Sequence, residues 1–247
     1  MKAICQNCGK EFEIKYPRNP NKFCSKSCAG QYYGAQKIKN LGKWAIKGKS
    51  PKIKEFKEDV RVLSYLLGAT GNRCLSEHNY EYVVEIGAAS KRFVKEVHDA
   101  FRRIGLVSWL WYRKDLNQWR TKVSSLRLYE WLRQMQDLRR LDKFLNNSER
   151  LRMYMKGFYE NKGSFSRGRK LSISSTNLDL LKLLRHKLES IGYSFHLYKI
   201  RGNLGHENWK PCYEIVLCKK PEIVRFLNWI KPIIKRGDEL EAYLPRY

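Results

Sequence analysis

Twice in this chain a glycine is embedded in an apolar helical stripe, and the two glycines, Gly68 and Gly157, stand 89 residues apart. In Arg150–Phe165, read as RLRMYMKGFYENKGSF, Leu151, Tyr154, Met155 and Phe158 recur at helical spacing and make one face apolar. Gly157 lies inside that run, where glycine costs about 1 kcal/mol against alanine. Such a glycine is expected to let a partner backbone come close. Gly163 then ends the helix, as a C-terminal glycine commonly does. The earlier stripe of Ile53, Phe56, Val60, Leu63 and Leu67 ends near Gly71 and holds Gly68 in the matching place.

The elements after each glycine also repeat, and a repeat constrains a fold more than any single motif. In the first copy, short strands are expected around Cys74–Ser76 and Tyr80–Gly87. Ser90 then caps a helix bearing Val94, Val97, Phe101 and Ile104, closed by Gly105. Two β-rich runs come next, VSWLWYRKD (107–115) and QWRTKVSSLRL (118–128), with a turn near Leu116–Asn117 and a helix over Tyr129–Leu145. In the second copy the helix Arg150–Lys162 leads to strands near Ser164–Arg167 and Lys170–Ser174. Thr176 with Asp179 reads as a capping box for a helix carrying Leu181, Leu184 and Leu188. Strands over Tyr193–Arg201 and Trp209–Leu217 precede a last helix starting at Pro221. Each half is αββαββα, an α+β class, with the halves expected at 55–147 and 148–247.

The runs Leu66–Cys74 (LLGATGNRC) and Met155–Gly163 (MKGFYENKG) resemble the LAGLIDADG motif of homing endonucleases. The resemblance covers roughly Glu55 to Pro232. It implies two pseudo-symmetric half-domains whose motif helices pack at the pseudo-twofold axis of a DNA-binding β-saddle. In that family the eighth motif position is an acid that binds a divalent metal. Here Arg73 and Lys162 occupy it, Cys74 stands where the first closing glycine belongs, and Glu160 holds the sixth position of the second copy. Magnesium prefers oxygen ligands, and a guanidinium or ammonium cannot serve. The ordinary site is therefore expected to be lost, with Mg²⁺ a cofactor only if cleavage is retained through displaced acids, for which Glu77, Glu160 and Asp115 are the candidates. Arg73 and Lys162 are expected instead to clamp the phosphate backbone, one as a fork and one as a point charge.

Residues 1–34 carry Cys5 and Cys8 as a CxxC knuckle and Cys24 and Cys28 as a CxxxC pair. Paired spacing of this kind supplies four thiolates to a tetrahedral Zn²⁺, and the segment resembles the small zinc ribbons at the N-termini of some homing endonucleases. Over 35–54, Lys43, Lys47 and Lys49 belong to a lysine run free of acids and broken by glycine and proline, a basic arm able to follow a backbone.

Fifty Lys and Arg against 24 Asp and Glu give a formal charge of +26, which points to a polyanion as partner. No apolar stretch approaches membrane-spanning length. The reading is an intracellular protein, cytoplasmic or organellar, with reduced thiols and no membrane partner. On the saddle strands, Gln118, Arg120 and Lys122 alternate with apolar residues. Arg167, Lys170, Lys199, Arg201 and Lys210 are the comparable candidates in the second half, all of types that meet phosphates and base edges. Trp109, Trp111 and Tyr112 read as core or interface rather than as base-stacking platforms. The leading expectation is a monomeric binder of duplex DNA or structured RNA that no longer cuts, as in the degenerate domains of a bacterial sporulation-regulator family. The alternatives are an active homing endonuclease with displaced acids, and an intron maturase or ribosome-associated RNA-binding protein within a ribonucleoprotein assembly.

Overall fold

A computed structural model describes residues 2–13, 22–32, 56–71, 74–78, 81–166, 170–200 and 211–233. The chain divides into two compact units, Met1–Lys52 and Ile53–Tyr247. In the smaller unit, β1 (Lys2–Ile4) and β2 (Glu11–Glu13) form an antiparallel pair around the first two cysteines. Gly9 takes φ of 71° there, a conformation glycine adopts without strain, and its N–H returns to the carbonyl of Cys5. The basic arm expected at 35–54 lies outside the described residues.

The larger unit is organised around two helices. Asp59 caps α1 (Val60–Ala69) by accepting from the backbone N–H groups of Arg61 and Val62. Every residue of α1 from Val62 to Ala69 is buried. A helix buried on all sides must be surrounded by protein.

The partner that comes closest to it is the second glycine-bearing helix, α5 (Ser148–Lys162), which Asn147 caps. A Cβ on Gly68 would sit 2.0 Å from the carbonyl oxygen of Tyr154 and 2.8 Å from the nitrogen of Phe158. One on Gly157 would sit 2.2 Å from the carbonyl oxygen of Tyr65 and 2.7 Å from the nitrogen of Ala69. The contact is reciprocal, because the residue three before each glycine offers its carbonyl to the other glycine. At one end of the pair the Asn161 amide donates to the carbonyl of Ala69 at 2.7 Å, filling an acceptor the helix terminus leaves open. At the other end Arg61 meets Glu149 at 3.2 Å.

Each helix leads into its own antiparallel sheet. After α1 come β3 (Leu75–His78), β4 (Glu81–Ala88), α2 (Lys91–Arg103), β5 (Ser108–Arg113) and β6 (Gln118–Ser124), with strand order β3-β4-β6-β5. The halves are joined through α3 (Leu126–Gln134) and α4 (Leu138–Phe144). After α5 come β7 (Gly163–Ser166), β8 (Lys170–Ser175), α6 (Leu178–Glu189), β9 (His196–Ile200), β10 (Cys212–Leu217) and α7 (Lys220–Ile230), with the equivalent order β7-β8-β10-β9. The repeated αββαββα order expected from the sequence is present in both halves.

Details differ where caps win over periodicity. The single helix expected over Tyr129–Leu145 is two. Buried Ser125 accepts from Leu128 N–H and starts α3 early, and Asp137 accepts from Arg139 N–H to start α4 afresh. Asn177, not Thr176, caps α6, its side chain accepting from Leu180 N–H. Gly163 takes an ordinary extended conformation (φ −79°), but a Cβ there would lie 2.1 Å from the Tyr159 ring. The strand expected from Tyr193 begins only at His196, because Tyr193 and Phe195 turn into a ring cluster on Phe226, at 5.4 and 5.3 Å.

Candidate nucleic-acid interface and metal site

Strand alternation sorts each sheet into a core face and an open face. Val84, Ile86, Thr121 and Val123 are buried on the first sheet, which α2 and α3 cover. Leu171, Ile173, Ile215 and Leu217 are buried on the second, which α5 and α6 cover. Residues of the other parity face away from those helices, although Ser172 and Val216 of the second sheet are buried there too. Register aligns them in rows across the strands: Glu85, Lys122 and Trp109 in the first sheet, and Ser174, Glu214 and Tyr198 in the second. One step along the first sheet the row is Gly87, Arg120 and Trp111.

The structure brings Gln118, Arg120 and Lys122 together on this open face. Gln118 and Arg120 lie over Gly87, whose added Cβ would meet the Gln118 side-chain oxygen at 3.2 Å and the Arg120 chain at 3.3 Å. Arg120 pairs with Glu85, and Lys122 holds its ammonium 5.8 Å from the Trp111 ring. In the second sheet Lys170 meets Glu214 at 3.2 Å. Among the described residues each of these faces therefore carries one cross-strand ion pair, partly exposed and of the kind worth at most about 1 kcal/mol.

Lys199 lies elsewhere. It pairs with Tyr213 and shares the parity of Leu197, both packed against the core, so it is not on the face of Lys170. The period-two pattern is sound, but its phase in β9 is set by Leu197. Lys43, Lys47, Lys49, Arg73, Arg167, Arg201 and Lys210 lie outside the described residues.

Lys162 is the last residue of α5 and is exposed. It lies close enough to Cys74, at the end of the first motif, to pull that thiol down while burial pushes it up further. Glu160 is placed differently. It is 5% exposed, and its carboxylate accepts from the backbone N–H of Ile233, just beyond α7. Asp115 sits in the turn between β5 and β6, held below the usual carboxylate range by its hydrogen bond from Arg113. Among the described residues, no group of three or more His, Cys, Asp or Glu could hold a metal except the four cysteines. Glu160→Ala would leave Ile233 N–H without its acceptor. Its expected cost is about 1–3 kcal/mol, a thermal midpoint lower by roughly 2–12 °C, which calorimetry would read.

Of the two expectations for Trp109 and Trp111, core and interface, the structure corrects the first. Leu110 and Thr121 fix the core parity of this hairpin, so both indoles stand on the open face, Trp109 at 51% exposure. The signal was available: Trp109 and Trp111 share a parity opposite to Leu110. Tyr112 has the core parity but is exposed near the hairpin end, its ring 5.2 Å from Trp119, and Lys91 lies 4.3 Å from the same indole. His196 and Tyr198, on the matching strand of the second sheet, escape sequence reasoning altogether, since no motif marks them.

In the smaller unit the sulfurs of Cys5, Cys8, Cys24 and Cys28 lie within 4.8 Å of one another, with Cys8–Cys24 and Cys24–Cys28 each at 3.6 Å. Thiolates 2.3 Å from a tetrahedral Zn²⁺ stand about 3.8 Å apart, so the cluster fits such an ion. Desolvation raises Cys5, but the backbone N–H groups of Cys24, Cys8 and Asn7 outweigh it and bring the thiol to about 6. Neighbouring Cys28 and Cys8 push Cys24 up to about 12. Four thiols so close cannot all ionise without a cation among them. The group could hold a structural metal.

No protein-family model matches the chain. An uncharacterized protein of Methanocaldococcus jannaschii is 27% identical over 159 residues, and the chain spans 58% of that relative's length and 57% of its own in the match. Among solved structures, the homing endonuclease I-DmoI in complex with DNA and Mn is similar at a TM-score of 0.54 and 22% identity, over 69% of this chain and 96% of that one. The N-terminal LAGLIDADG domain of WhiA is similar at 0.52 and 14% identity, over 79% of this chain and 96% of that one. These likenesses are likenesses of fold. No helix among the described residues is long and apolar enough to cross a membrane.

Proposed function

We propose that this chain, whose fold is LAGLIDADG homing-endonuclease-like, binds nucleic acid across the open faces of its two sheets and has lost ordinary metal-dependent strand cleavage. The observation that carries the reading is that Lys122, with Arg120 and Lys170 in their ion pairs to Glu85 and Glu214, stands on sheet faces turned away from the covering helices in a chain of formal charge +26. I-DmoI, of similar fold, forms a complex with DNA and Mn, and the shared fold supports a nucleic-acid ligand here. Against cleavage stand Lys162 at the motif's metal-binding position and Glu160 engaged by Ile233. Two cations in place of two acids at the motif positions would repel Mg²⁺ and attract a phosphate.

Residues 1–34 are read as a ribbon folded on one structural Zn²⁺, 35–54 as a basic arm, and 55–147 and 148–247 as the halves that together form a monomeric binding unit. Reduced thiolates on a metal suit an intracellular compartment.

The test is binding and cleavage on long duplexes and structured RNAs in Mg²⁺ and Mn²⁺, across a salt series. Expected is salt-dependent binding without cutting. Lys122→Ala and Lys162→Ala should each lower the steepness of log K against log salt by about one phosphate contact. Metal-dependent cutting would overturn the binding-only reading, and salt-independent affinity would overturn the interface.

A further inference from the structure

We propose that the outer strands of the two sheets are stacking platforms for unpaired nucleobases, with Trp109 and Tyr198 as the paired anchors. The inference rests on the nucleic-acid reading and specifies which feature of the ligand the protein takes hold of.

Trp109 and Tyr198 are equivalent residues of the two halves. Trp109 pairs with Lys122, which pairs with Glu85; Tyr198 pairs with Glu214, which pairs with Ser174. They stand 89 residues apart, the same interval that separates Gly68 from Gly157. Both are exposed to a similar degree, 51% and 50%. Both lie on edge strands, β5 and β9, the strands farthest in sheet order from β3 and β7, which come directly after the motif helices. Scattered single exposed aromatics need no explanation. Two at equivalent positions, on the face that carries the cations, do.

Each anchor also has a companion. Trp111 shares the face of Trp109 with the Lys122 ammonium beside it, and the His196 ring lies 6.4 Å from Tyr198. Beside Trp109, a second ring and a cation suit a base and its phosphate together; beside Tyr198 stand the His196 ring and, across the strand, Glu214.

These platforms select the chemistry of the ligand. In a B-form duplex the faces of the bases are covered by their neighbours, and the grooves offer only edges. A flat, exposed indole or phenol gains its stacking energy only from a base face that is open. Loops, bulges and single strands provide such faces. Sheet-borne aromatics serving unpaired bases are a recurrent solution in single-strand binding because every base has a π-face. The shared chemistry is an unstacked nucleobase, which RNA loops and single-stranded DNA both supply.

The experiment uses the full chain and four probes: a single-stranded RNA, its DNA counterpart, an RNA hairpin with a large loop, and a fully paired duplex of similar charge. Affinity is measured with Trp109→Ala, Tyr198→Ala, Trp109→Phe and the parent. The alanine variants should weaken single-stranded and looped probes by about tenfold or more each while leaving the duplex and the salt slope unchanged. Trp109→Phe should restore most of the loss, because a ring can still stack. The two single-stranded arms tell whether RNA or DNA is preferred. Both side chains are exposed, so unchanged thermal midpoints serve as the folding control. Equal losses on duplex and single strand, or none on either, would overturn the proposal while leaving a groove-binding reading intact. A shift in oligomeric state with Trp109→Ala would overturn it in favour of a contact between chains. Absence of binding to every probe would remove the nucleic-acid reading itself, and this inference with it.

Discussion

Gly157→Ala is expected to destabilise the larger unit strongly. The added methyl would sit 2.2 Å from the Tyr65 carbonyl oxygen and 2.7 Å from the Ala69 nitrogen. These are backbone atoms of a helix buried from Val62 to Ala69, so they cannot swing aside as a flexible side chain would. Relief requires the two helices to move apart, which opens contacts along their whole crossing. Overpacking of a core commonly costs about 1–3 kcal/mol and more when backbone must shift, so about 3 kcal/mol or more is expected here. For a domain of this size that lowers the thermal midpoint by roughly 6–12 °C. Alanine's better helix propensity offsets only about 1 kcal/mol. Gly68→Ala should behave alike, its methyl 2.0 Å from the Tyr154 carbonyl oxygen. Because both changes strain one crossing, their effects should fall short of additive. Calorimetry of the single and double variants checks this, and an unchanged midpoint for Gly157→Ala would show that the helices do not cross at these glycines.

The second large effect concerns the cysteine cluster. Removing the metal, by chelation or by Cys24→Ser, is expected to unfold residues 2–32 while the larger unit keeps its structure. Cys5 is the one cysteine of the four that is fully buried, and the paired strands β1 and β2 are only three residues each. A segment this small gains its folding free energy largely from binding, about 10–16 kcal/mol for a structural zinc peptide near neutral pH. Hydrogen exchange offers the direct reading. The N–H groups of Cys5, Gln6 and Gly9 donate to Lys10, Lys22 and Cys5 carbonyls, and their protection should vanish with the metal. Elemental analysis should find one zinc per chain. Protection that survives chelation would mean that the segment folds on contacts other than the metal.

The glycines and the repeat are legible in the sequence because they are consequences of close approach and of duplication, both of which leave marks at fixed intervals. Gly68 and Gly157 do what their odd position in an apolar helix implies. The two strand pairs on either side of α2, and again of α6, are legible from period-two alternation. Phase and priority are harder to read. Lys199 resembles a groove cation because it alternates with apolar neighbours, but Leu197 decides which way β9 faces. Trp109 and Trp111 suggest core or interface because tryptophan is mostly covered, although Leu110 between them already holds the core parity. Glu160 can be read from sequence as an acid left at a motif position. Its hydrogen bond to Ile233 joins residues 73 apart, and no local pattern announces it. The early start of α3 and the break before α4 depend on Ser125 and Asp137 acting as caps, a local rule that the longer apolar periodicity conceals.

The all-round burial of α1 has a consequence for how the chain is made. Its closest partner, α5, ends at Lys162, so the ribosome must add 94 residues after Gly68 before the pair can close. At ordinary elongation rates that takes roughly 5–20 s. Only the last 38 residues of that interval follow Ser124, the end of β6, and over them a completed first sheet would travel with an apolar helix whose glycine notch has nothing to receive. The buried face of the first half is therefore completed only when the second half arrives.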